Sequence, residues 1–214
     1  MHHARHQYDL SVITGDIVGS GQLAAADYQT VIQHLSNTLT RLNAADLPTA
    51  EIFRGDSFQL VCHSPFAIHA ALQLKLAMTA VGSAVRLSIA RGPIEQLTDT
   101  LAQSRGTALT SAGHQLDKMR HDLWQMQDLL QPLTHAEQLL LQSCAIHLAQ
   151  LTQRQAAVLQ AYLQQNQPSH QQLASYFAVS RVNITNLLKQ AQYDLICAIE
   201  QYFATRISNA PECQ

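Results

Sequence analysis

The sequence predicts an α+β protein, in which a ferredoxin-like domain of order β-α-β-β-α-β is followed by an all-α helix-turn-helix domain. Up to about residue 120, short runs of apolar and β-branched residues alternate with amphipathic stretches, as strands and helices do. From about residue 121 the apolar residues recur only at helical spacing. We therefore predict a first domain over residues 1–120, a helical linker over 121–150 and a second domain over 151–214.

The overall composition limits the function classes without selecting one. The chain has 214 residues, of which 47% are hydrophobic, so it is long enough to bury a sizeable core. Its net charge of −2 gives no general attraction for nucleic acid, so DNA binding has to use a local patch. The four cysteines form no CxxC pair, and no apolar run reaches about 18 residues. We expect a cytoplasmic protein with reduced thiols and no membrane span.

The first domain is predicted from apolar segments and the breakers between them. Residues 8–15 form an apolar run that ends at a glycine, which predicts a buried strand. Residues 24–43 carry apolar side chains at spacings of three and four, which predicts an amphipathic helix. The stretch EIFRGDSFQLVC predicts two strands around a tight turn. The remaining predicted elements are a helix over 65–80, a strand in AVRLSIARGPI, and a loop leading into a helix in SRGTALTSAGHQLDKMR.

The C-terminal part is predicted to be helical throughout. The stretch DLWQMQDLLQPL predicts a helix that stops at Pro132, and its Trp124 is interpreted as a packing residue. Ser180 predicts the start of a last helix that runs to about Phe203. Capping boxes predict the helix starts between them: Thr134 with Glu137 before 135–150, Thr152 with Gln155 before 153–166, and Ser169 with Gln172 before a third helix.

The stretch SHQQLASYFAVSRVNITNLLKQA has the chemistry of a helix-turn-helix. Leu173, Ala174, Ile184 and Leu188 are predicted to face the core, and Val179 to fill the turn. The second helix then presents polar and basic side chains near its N-terminus, which suits the major groove of double-stranded DNA. The predicted DNA contacts are Ser180, Arg181, Asn183, Thr185, Asn186 and Lys189. A small helical bundle that binds a partner or dimerises fits the same pattern.

A homodimer would present two such surfaces to DNA and offset the weak basicity of each copy. The long final helix supplies the apolar residues of a predicted dimer seam, namely Leu195, Ile196, Ile199 and Phe203. The stretch from Leu151 to Phe203 resembles the helix-turn-helix of LuxR-type regulators and of sigma-factor region 4, and this resemblance implies DNA binding.

Two aspartates carry the predicted chemistry of the first domain. Asp16 stands at the end of the first strand, and Asp56 in the turn of the following hairpin. In a β-α-β-β order these positions lie side by side, and facing carboxylates favour a divalent cation between them. The turn Gly19-Ser20-Gly21 frees backbone amides near a helix start, where a phosphate docks. Alternatively, each aspartate is an ordinary turn residue.

Three arginines complete the predictions for this domain. Arg54, beside Asp56, is either a phosphate contact or a local ion-pair partner. Arg86 and Arg91 flank a predicted strand and are expected to be solvated.

The first domain resembles the class III nucleotidyl cyclases, because GDIVGS, RGDSF, RLSIARGPI and GTALTSAGHQLDKM follow one another as the motifs of those enzymes do. RGDSF also resembles the turn of diguanylate cyclases, which share a palm-like fold. The whole chain resembles the SatD family, which joins such a domain to a C-terminal helix-turn-helix. The resemblance implies that Asp16 and Asp56 hold Mg²⁺ or Mn²⁺ with the Ile17 carbonyl, that a purine nucleotide is the ligand, and that chains pair head to tail.

The last motif departs from the cyclase pattern. Class III cyclases carry there an asparagine and, four residues later, an arginine, which orient the ribose and stabilise the transferring phosphate. Thr110 and His114 occupy these positions here, and histidine lacks the fixed, permanently charged fork of arginine. Lys118 and Arg120, further along, are the candidate substitutes.

The sequence therefore predicts a DNA-binding transcriptional regulator whose first domain binds a metal–nucleotide ligand without catalysis. An active nucleotidyl cyclase, or a related phosphoryl-transfer enzyme that the helix-turn-helix localises, is the alternative. A module for assembly that binds neither nucleotide nor DNA is the third interpretation.

Overall fold

The computed structural model describes residues 10–44, 49–53, 55–98, 100–120, 124–165 and 167–209. These residues form a mixed five-stranded sheet and eight α-helices, so the chain is an α+β protein. Within them, no helix is both long enough and apolar enough to cross a membrane. The first two residues of the predicted first strand, and Arg54, lie outside the described residues.

The elements follow the predicted order as far as the third helix. The strands are β1 (Leu10–Ile17), β2 (Thr49–Phe53), β3 (Ser57–His63), β4 (Val85–Arg91) and β5 (Trp124–Asp128). The helices are α1 (Ala25–Ala44), α2 (Ala67–Ala80), α3 (Thr107–Lys118), α4 (His135–Ala149), α5 (Gln153–Gln164), α6 (His170–Tyr176), α7 (Arg181–Gln190) and α8 (Tyr193–Ser208).

The sheet has the order β2-β3-β1-β4-β5. β1 is central and pairs antiparallel with β3 and β4, while β5 lies parallel to β4 at one edge. The register sets Asp16 of β1 opposite Ser57 of β3 and opposite Arg86 of β4. The end of β1 is therefore flanked by the start of β4 and by the start of β3, whose preceding turn holds Asp56.

The two faces of the sheet carry different helices. Helices α1 and α2 cover the face that contains Ile13 and Leu87, and α3 lies on the opposite face over Val12 and Ala90. Because successive strand residues point to opposite faces, Asp16 shares the α3 face with Val12. The Asp16 carboxylate at the end of β1 therefore lies on the face of the sheet that α3 covers.

Helix α2 is buried almost all round, because it lies between the sheet and the C-terminal helices α5 and α8. Its alanine and leucine side chains pack into one continuous core that joins both parts of the chain. Lys75 is the charged exception: its Nζ donates to the Val85 carbonyl at 2.9 Å, and burial lowers its pKa to about 8. The N- and C-terminal parts of the chain therefore share one packed core rather than being joined only by a linker.

The prediction of a helix in DLWQMQDLLQPL is wrong, because Trp124–Asp128 forms the edge strand β5. Trp124 and Met126 are buried in the main core, whereas Gln125 and Gln127 point to the α3 face. This is an alternation of period two, which a strand satisfies and a helix does not. The segment predicted as a helical linker therefore contributes to the sheet, and Trp124 serves packing as predicted.

The prediction of a single long helix after Ser180 is also wrong, because two helices, α7 and α8, occupy this stretch. It is interrupted at Gln192, whose positive φ of 51° lies in the left-handed region, and the chain turns there from α7 into α8. The turn directs Ile196, Ile199 and Phe203 into the core of this same chain, where each is at most 3% exposed. These three residues cannot form a dimer seam, and of the predicted seam only Leu195, at 47% exposure, remains accessible.

The predicted starts of α4, α5 and α6 are confirmed by reciprocal capping boxes. In each, a threonine or serine hydroxyl accepts from the backbone amide three residues later, and that residue's side chain accepts from the cap amide. Each cap contributes about 1 kcal/mol of helix stability.

Candidate functional sites

The first candidate site lies where β1 ends, and we name Asp16, Ser20, Asp56 and Arg86 the carboxylate corner. β1 continues to Ile17, and Gly19 then adopts a positive φ of 68°, which turns the chain into a short 3-10 turn over Ser20–Gln22. Gly19 and Gly21 have open space where a side chain would stand. The predicted glycine-rich turn is therefore accessible beside the end of the strand.

Asp16 is held by an arginine of the neighbouring strand. Arg86 donates from Nε to Asp16 Oδ1 at 2.8 Å and from its second guanidinium nitrogen to Oδ2, and it also donates to the Met119 carbonyl at 2.8 Å. The hydrogen bond with Asp16 raises the pKa of Arg86. The prediction that Arg86 is solvated holds only in part, because the strand register places it directly opposite a carboxylate. The pair remains partly accessible, with 31% of the arginine and 19% of the aspartate side chain exposed.

Asp56 accepts a hydrogen bond from the glycine-rich turn that follows β1. Ser20 Oγ donates to Asp56 Oδ2, which links the hairpin to the turn after β1. The hairpin itself depends on Gly55, whose φ is 86° and whose added Cβ would stand 2.6 Å from Tyr28 Oη. The strand order thus places Asp16 and Asp56 at the same end of neighbouring strands, with Ser20 bonded to Asp56. Sequence reasoning missed Arg86 because only the register shows it.

The carboxylates of the corner are already partly engaged by hydrogen bonds, which compete with a divalent cation. Two carboxylates are what Mg²⁺ commonly takes from a protein, but both oxygens of Asp16 hold Arg86 and one oxygen of Asp56 holds Ser20. In the described part of the chain no group of three His, Cys, Asp or Glu side chains is placed to hold a metal. Ile17, the predicted carbonyl ligand, ends β1 with its side chain in the core. An anionic ligand that attracts Arg86 would release Asp16 for the cation.

The predicted catalytic candidates make no hydrogen bond to this corner among the described residues. Thr110, His114 and Lys118 are exposed along one face of α3, and Thr110 Oγ1 donates to the Gly106 carbonyl. Eight residues of helix separate Thr110 from Lys118, which is about 12 Å. Near the carboxylate corner, the charge of Asp117 at the end of α3 acts on Arg86, and Met119, which follows the helix, accepts from it. The structure therefore does not assemble these three side chains around Asp16.

The second candidate site is the exposed face of α7. Leu173, Ala174, Ile184 and Leu188 are buried, as predicted, and they fix α7 against α6. Ala178 adopts a positive φ of 51° in the turn between the two helices. The residues that this packing leaves exposed are named the α7 surface: Arg181, Val182, Asn183, Asn186 and Lys189.

Two residues predicted to contact DNA have other roles within this pair of helices. Ser180 Oγ accepts the Asn183 amide at 3.1 Å, so it caps α7. Thr185 is half-buried, because its hydroxyl donates to the Arg181 carbonyl at 3.0 Å and lies 2.9 Å from His170 Nδ1 of α6. The prediction that Thr185 points outward is therefore wrong: its place on the helix turns it toward α6.

The stretch of sequence that contains α7 is basic although the chain as a whole is slightly acidic. No aspartate or glutamate occurs between Glu137 and Asp194, whereas Arg154, Arg181 and Lys189 fall within that span. Arg154 donates to the Phe177 carbonyl at 3.2 Å and lies over the Phe177 ring, which holds this cation beside the turn. Val182 adds an apolar side chain that is 68% exposed. The surface is thus basic and polar with one apolar contact point.

A third cluster of charges is buried, and sequence reasoning missed it. Arg206 of α8 donates to Asp128 Oδ2 at 2.8 Å and to Glu137 Oε1 at 2.5 Å, and Arg91 donates to Asp128 at 3.1 Å. Burial raises the pKa of Glu137, but hydrogen bonds from Thr134, Tyr202 and Arg206 outweigh it, and the pKa is lowered. Arg91 was expected to be solvated, which is wrong, because it ends β4 beside Asp128 of β5. We name Arg91, Asp128, Glu137 and Arg206 the buried ion cluster.

A scan against models of protein families finds no family that matches this chain, and a search among curated proteins finds no match.

Proposed function

We propose that this chain is a DNA-binding transcriptional regulator that acts as a homodimer in the cytoplasm. The observation that carries this proposal is the α7 surface. It is the exposed face of a capped helix, carries arginine, asparagine and lysine side chains, and lies in a span without an acidic residue. Such side chains on a short second helix suit the edges and phosphates of the major groove.

The residues of this surface have distinct expected roles. Arg181 at the first turn of α7 and Lys189 at its last turn reach phosphates or guanine edges. Asn183 and Asn186 are of the type that pairs with adenine, and the exposed Val182 suits a thymine methyl group. We further propose that α6 and α7 form a helix-turn-helix, which their tight turn at Ala178 and their shared buried residues support.

We also propose that β1–β4 with α1 and α2 form a ferredoxin-like, palm-like domain that binds a metal–purine nucleotide. Their strand order and antiparallel pairing support this, since β1 and β3 lie side by side in the middle of the sheet. Asp16 and Asp56 would hold Mg²⁺ or Mn²⁺, and Gly19, Gly21 and Arg86 would receive the phosphates. The ligand would then favour one arrangement of the DNA-binding helices.

The DNA half is tested by the salt dependence of binding to a fluorescent random-sequence duplex. We expect Arg181→Ala and Lys189→Ala each to weaken binding and to reduce the slope of log K against log salt by about 1. Lys118→Ala, which removes an equally exposed cation on α3, is the matched control and should change neither quantity. Equal binding by all three variants and the wild type would sink the DNA proposal.

The nucleotide half is tested separately by calorimetry with ATP and GTP in the presence of Mg²⁺ or Mn²⁺. We expect binding that depends on the cation and that Asp16→Asn and Asp56→Asn each weaken at least about tenfold, since each removes a charged ligand. Asp27→Asn, on the first turn of α1, is the matched control. Unchanged affinity in both corner variants overturns this half, and a cyclic product abolished by Asp56→Asn would establish the enzyme instead.

A further inference from the structure

A cavity of about 310 Å³ lies where the N- and C-terminal parts of the chain meet. Four helices supply most of its wall: α1 and α2 from the N-terminal part, and α5 and α8 from the C-terminal part. The cavity shares no lining residue with the carboxylate corner or with the α7 surface. Its volume is at the lower end of the range for small-ligand pockets, which is about 300–1,000 Å³. The cavity is therefore of a size for a small metabolite.

Helix α2 places two polar side chains in the wall of this cavity. Most of α2 is alanine and leucine, but His69 and Gln73 line the cavity, and their spacing of four puts them on one face of the helix. Gln73 is only 3% exposed, and its Nε2 donates to the Gln160 carbonyl at 3.5 Å. Its Oε1 accepts no hydrogen bond from the residues that the structure describes. Because a buried polar oxygen without a donor is costly, Gln73 favours a ligand that brings an N–H or O–H group.

Helix α8 contributes a carboxylate that α2 holds in position. Glu200 Oε1 lies 2.7 Å from His69 Nδ1, and the His69 ring packs on Phe66 with 4.7 Å between the ring centroids. The second oxygen of Glu200 accepts no hydrogen bond in the described part of the chain, and 25% of the side chain is exposed. Glu200 therefore presents an oriented oxygen to a cationic group in the cavity.

Helix α1 contributes a cation that has no carboxylate partner among the described residues. Arg41 donates to Thr38 Oγ1 at 3.2 Å, and the buried Thr38 hydroxyl donates to the His34 carbonyl. Within the described ranges, no ion pair joins Arg41 to Glu200, although both line the same cavity. A guanidinium is a rigid fork of donors that matches a carboxylate. The cavity thus has a cation and an anion in its wall that do not neutralise each other.

We propose that this cavity binds a small zwitterion of the α-amino acid class. Arg41 receives the carboxylate of the ligand, and Glu200 and the Oε1 of Gln73 receive its ammonium group. A ligand with two negative groups would be repelled by Glu200, and a simple amine would leave Arg41 without a partner. The apolar part of the wall is available to the side chain of the ligand: Leu42, Phe66 and Leu163. The site is additional to the proposed nucleotide and DNA sites and does not depend on either.

The experiment measures binding to the full chain in the absence of nucleotide and DNA. The standard L-amino acids are screened at millimolar concentration by thermal shift, and the one that raises Tm most is titrated by calorimetry. We expect saturable binding. The α-amide of that amino acid, which lacks the carboxylate, and its deaminated acid, which lacks the ammonium group, should each bind at least about tenfold more weakly. A screen without saturable binding of any standard amino acid overturns the proposal.

Two variants assign the two charges. Arg41→Gln should weaken binding of the amino acid at least about tenfold and leave the affinity for its α-amide unchanged, and Glu200→Gln should do the same with the deaminated acid. Arg105→Gln, on the loop before α3, and Asp194→Asn, in the first turn of α8, are the matched controls, because neither residue lines the cavity. Binding that neither test variant weakens would place the amino acid elsewhere and contradict the proposal.

A further variant keeps the test decisive if a charge variant folds poorly. Gln164→Trp, at the exposed end of α5, puts a bulky ring at the cavity wall without removing a charge. Gln165→Trp changes the next residue, which is exposed and does not line the cavity. We expect the first variant to lose amino-acid binding and the second to keep it, with the same circular dichroism for both. Equal binding by the two variants would overturn the proposal, whereas the DNA and nucleotide tests above would still stand.

Discussion

The two ends of β4 use the same chemistry for different purposes. At its start, Arg86 pairs with Asp16, and both side chains keep contact with solvent. At its end, Arg91 pairs with Asp128, whose carboxylate is fully buried and is also held by Arg206. The carboxylate corner is therefore free to exchange partners, whereas the buried ion cluster is nearly closed to the solvent that could replace a lost partner. Accessibility, rather than residue type, separates a candidate ligand site from a structural clamp.

The largest expected effect follows from opening the buried ion cluster. Arg206→Ala leaves Glu137 buried without its cation, leaves Asp128 with Arg91 alone, and removes the ion pairs between α8 and the end of β5. We expect a loss of about 3–5 kcal/mol in the free energy of unfolding, measured by urea denaturation. Arg41→Ala on α1 removes an exposed arginine and should cost less than about 1 kcal/mol. A loss for Arg206→Ala no greater than that of the control would contradict the clamp.

A third cation, Lys75, donates to the carbonyl of Val85, the first residue of β4. The burial of Lys75 predicts a pH dependence of stability. The pKa of Lys75 is lowered to about 8 in the fold, so between about pH 8 and 10.5 the unfolded chain binds more protons than the folded chain. The contribution of Lys75 to stability should therefore rise with pH through this window, by on the order of 3 kcal/mol, and its penalty is fully present below it. Burial raises the pKa of the Cys62, Cys144 and Cys197 thiols and acts in the opposite direction, so the difference between Lys75→Met and the wild type is the quantity to follow. Lys75→Met should remove that rise in urea melts at pH 7.5 and 10. Parallel pH profiles for the variant and the wild type would show that Lys75 is not the source.

Glu137 predicts the opposite dependence on the acid side. Its pKa is lowered in the fold, so its contribution is present above the ordinary glutamate pKa of about 4.3 and is lost as pH falls through the folded value. We expect Glu137→Gln to cost about 1–3 kcal/mol at pH 7, with the difference from the wild type shrinking toward pH 3. Glu51→Gln on the half-exposed strand β2 is the control. A difference that stays constant with pH would place the cost in packing rather than in charge.

The sequence predicted the first four strands and their helices because each carries a local signal. β1–β4 and α1–α3 have clear periodicity, and the later helix starts have capping boxes that act within four residues. β5 was missed although Trp124 and Met126 alternate with two glutamines, because the following leucines extend an apolar run that also fits a helix. The break at Gln192 was missed because it contains neither glycine nor proline, and only tertiary packing supports its positive φ.

The candidate sites divide in the same way. The exposed positions of α7 follow from helical spacing alone, except where Thr185 turns toward His170 of the neighbouring helix. Asp16 and Asp56 were expected at the same end of neighbouring strands, and the register of β1 with β3 agrees with that placement. Their immediate partners, Arg86 and Ser20, depend on the register between strands and on the path of a turn. Both are non-local, and no local pattern in the sequence encodes them.

The smallest expected effect is the difference in stability loss when the same substitution is made at the two ends of β4. Arg86→Met and Arg91→Met keep most of each side-chain stem and remove each charge. Arg86→Met should cost no more than about 1 kcal/mol, because Asp16 is near enough to solvent to be rehydrated. Arg91→Met should cost more, since Asp128 then depends on Arg206 alone in a buried setting. Equal losses for the two variants would mean that the carboxylate corner is as much a structural clamp as the buried ion cluster, and Asp16 would not be available to a ligand.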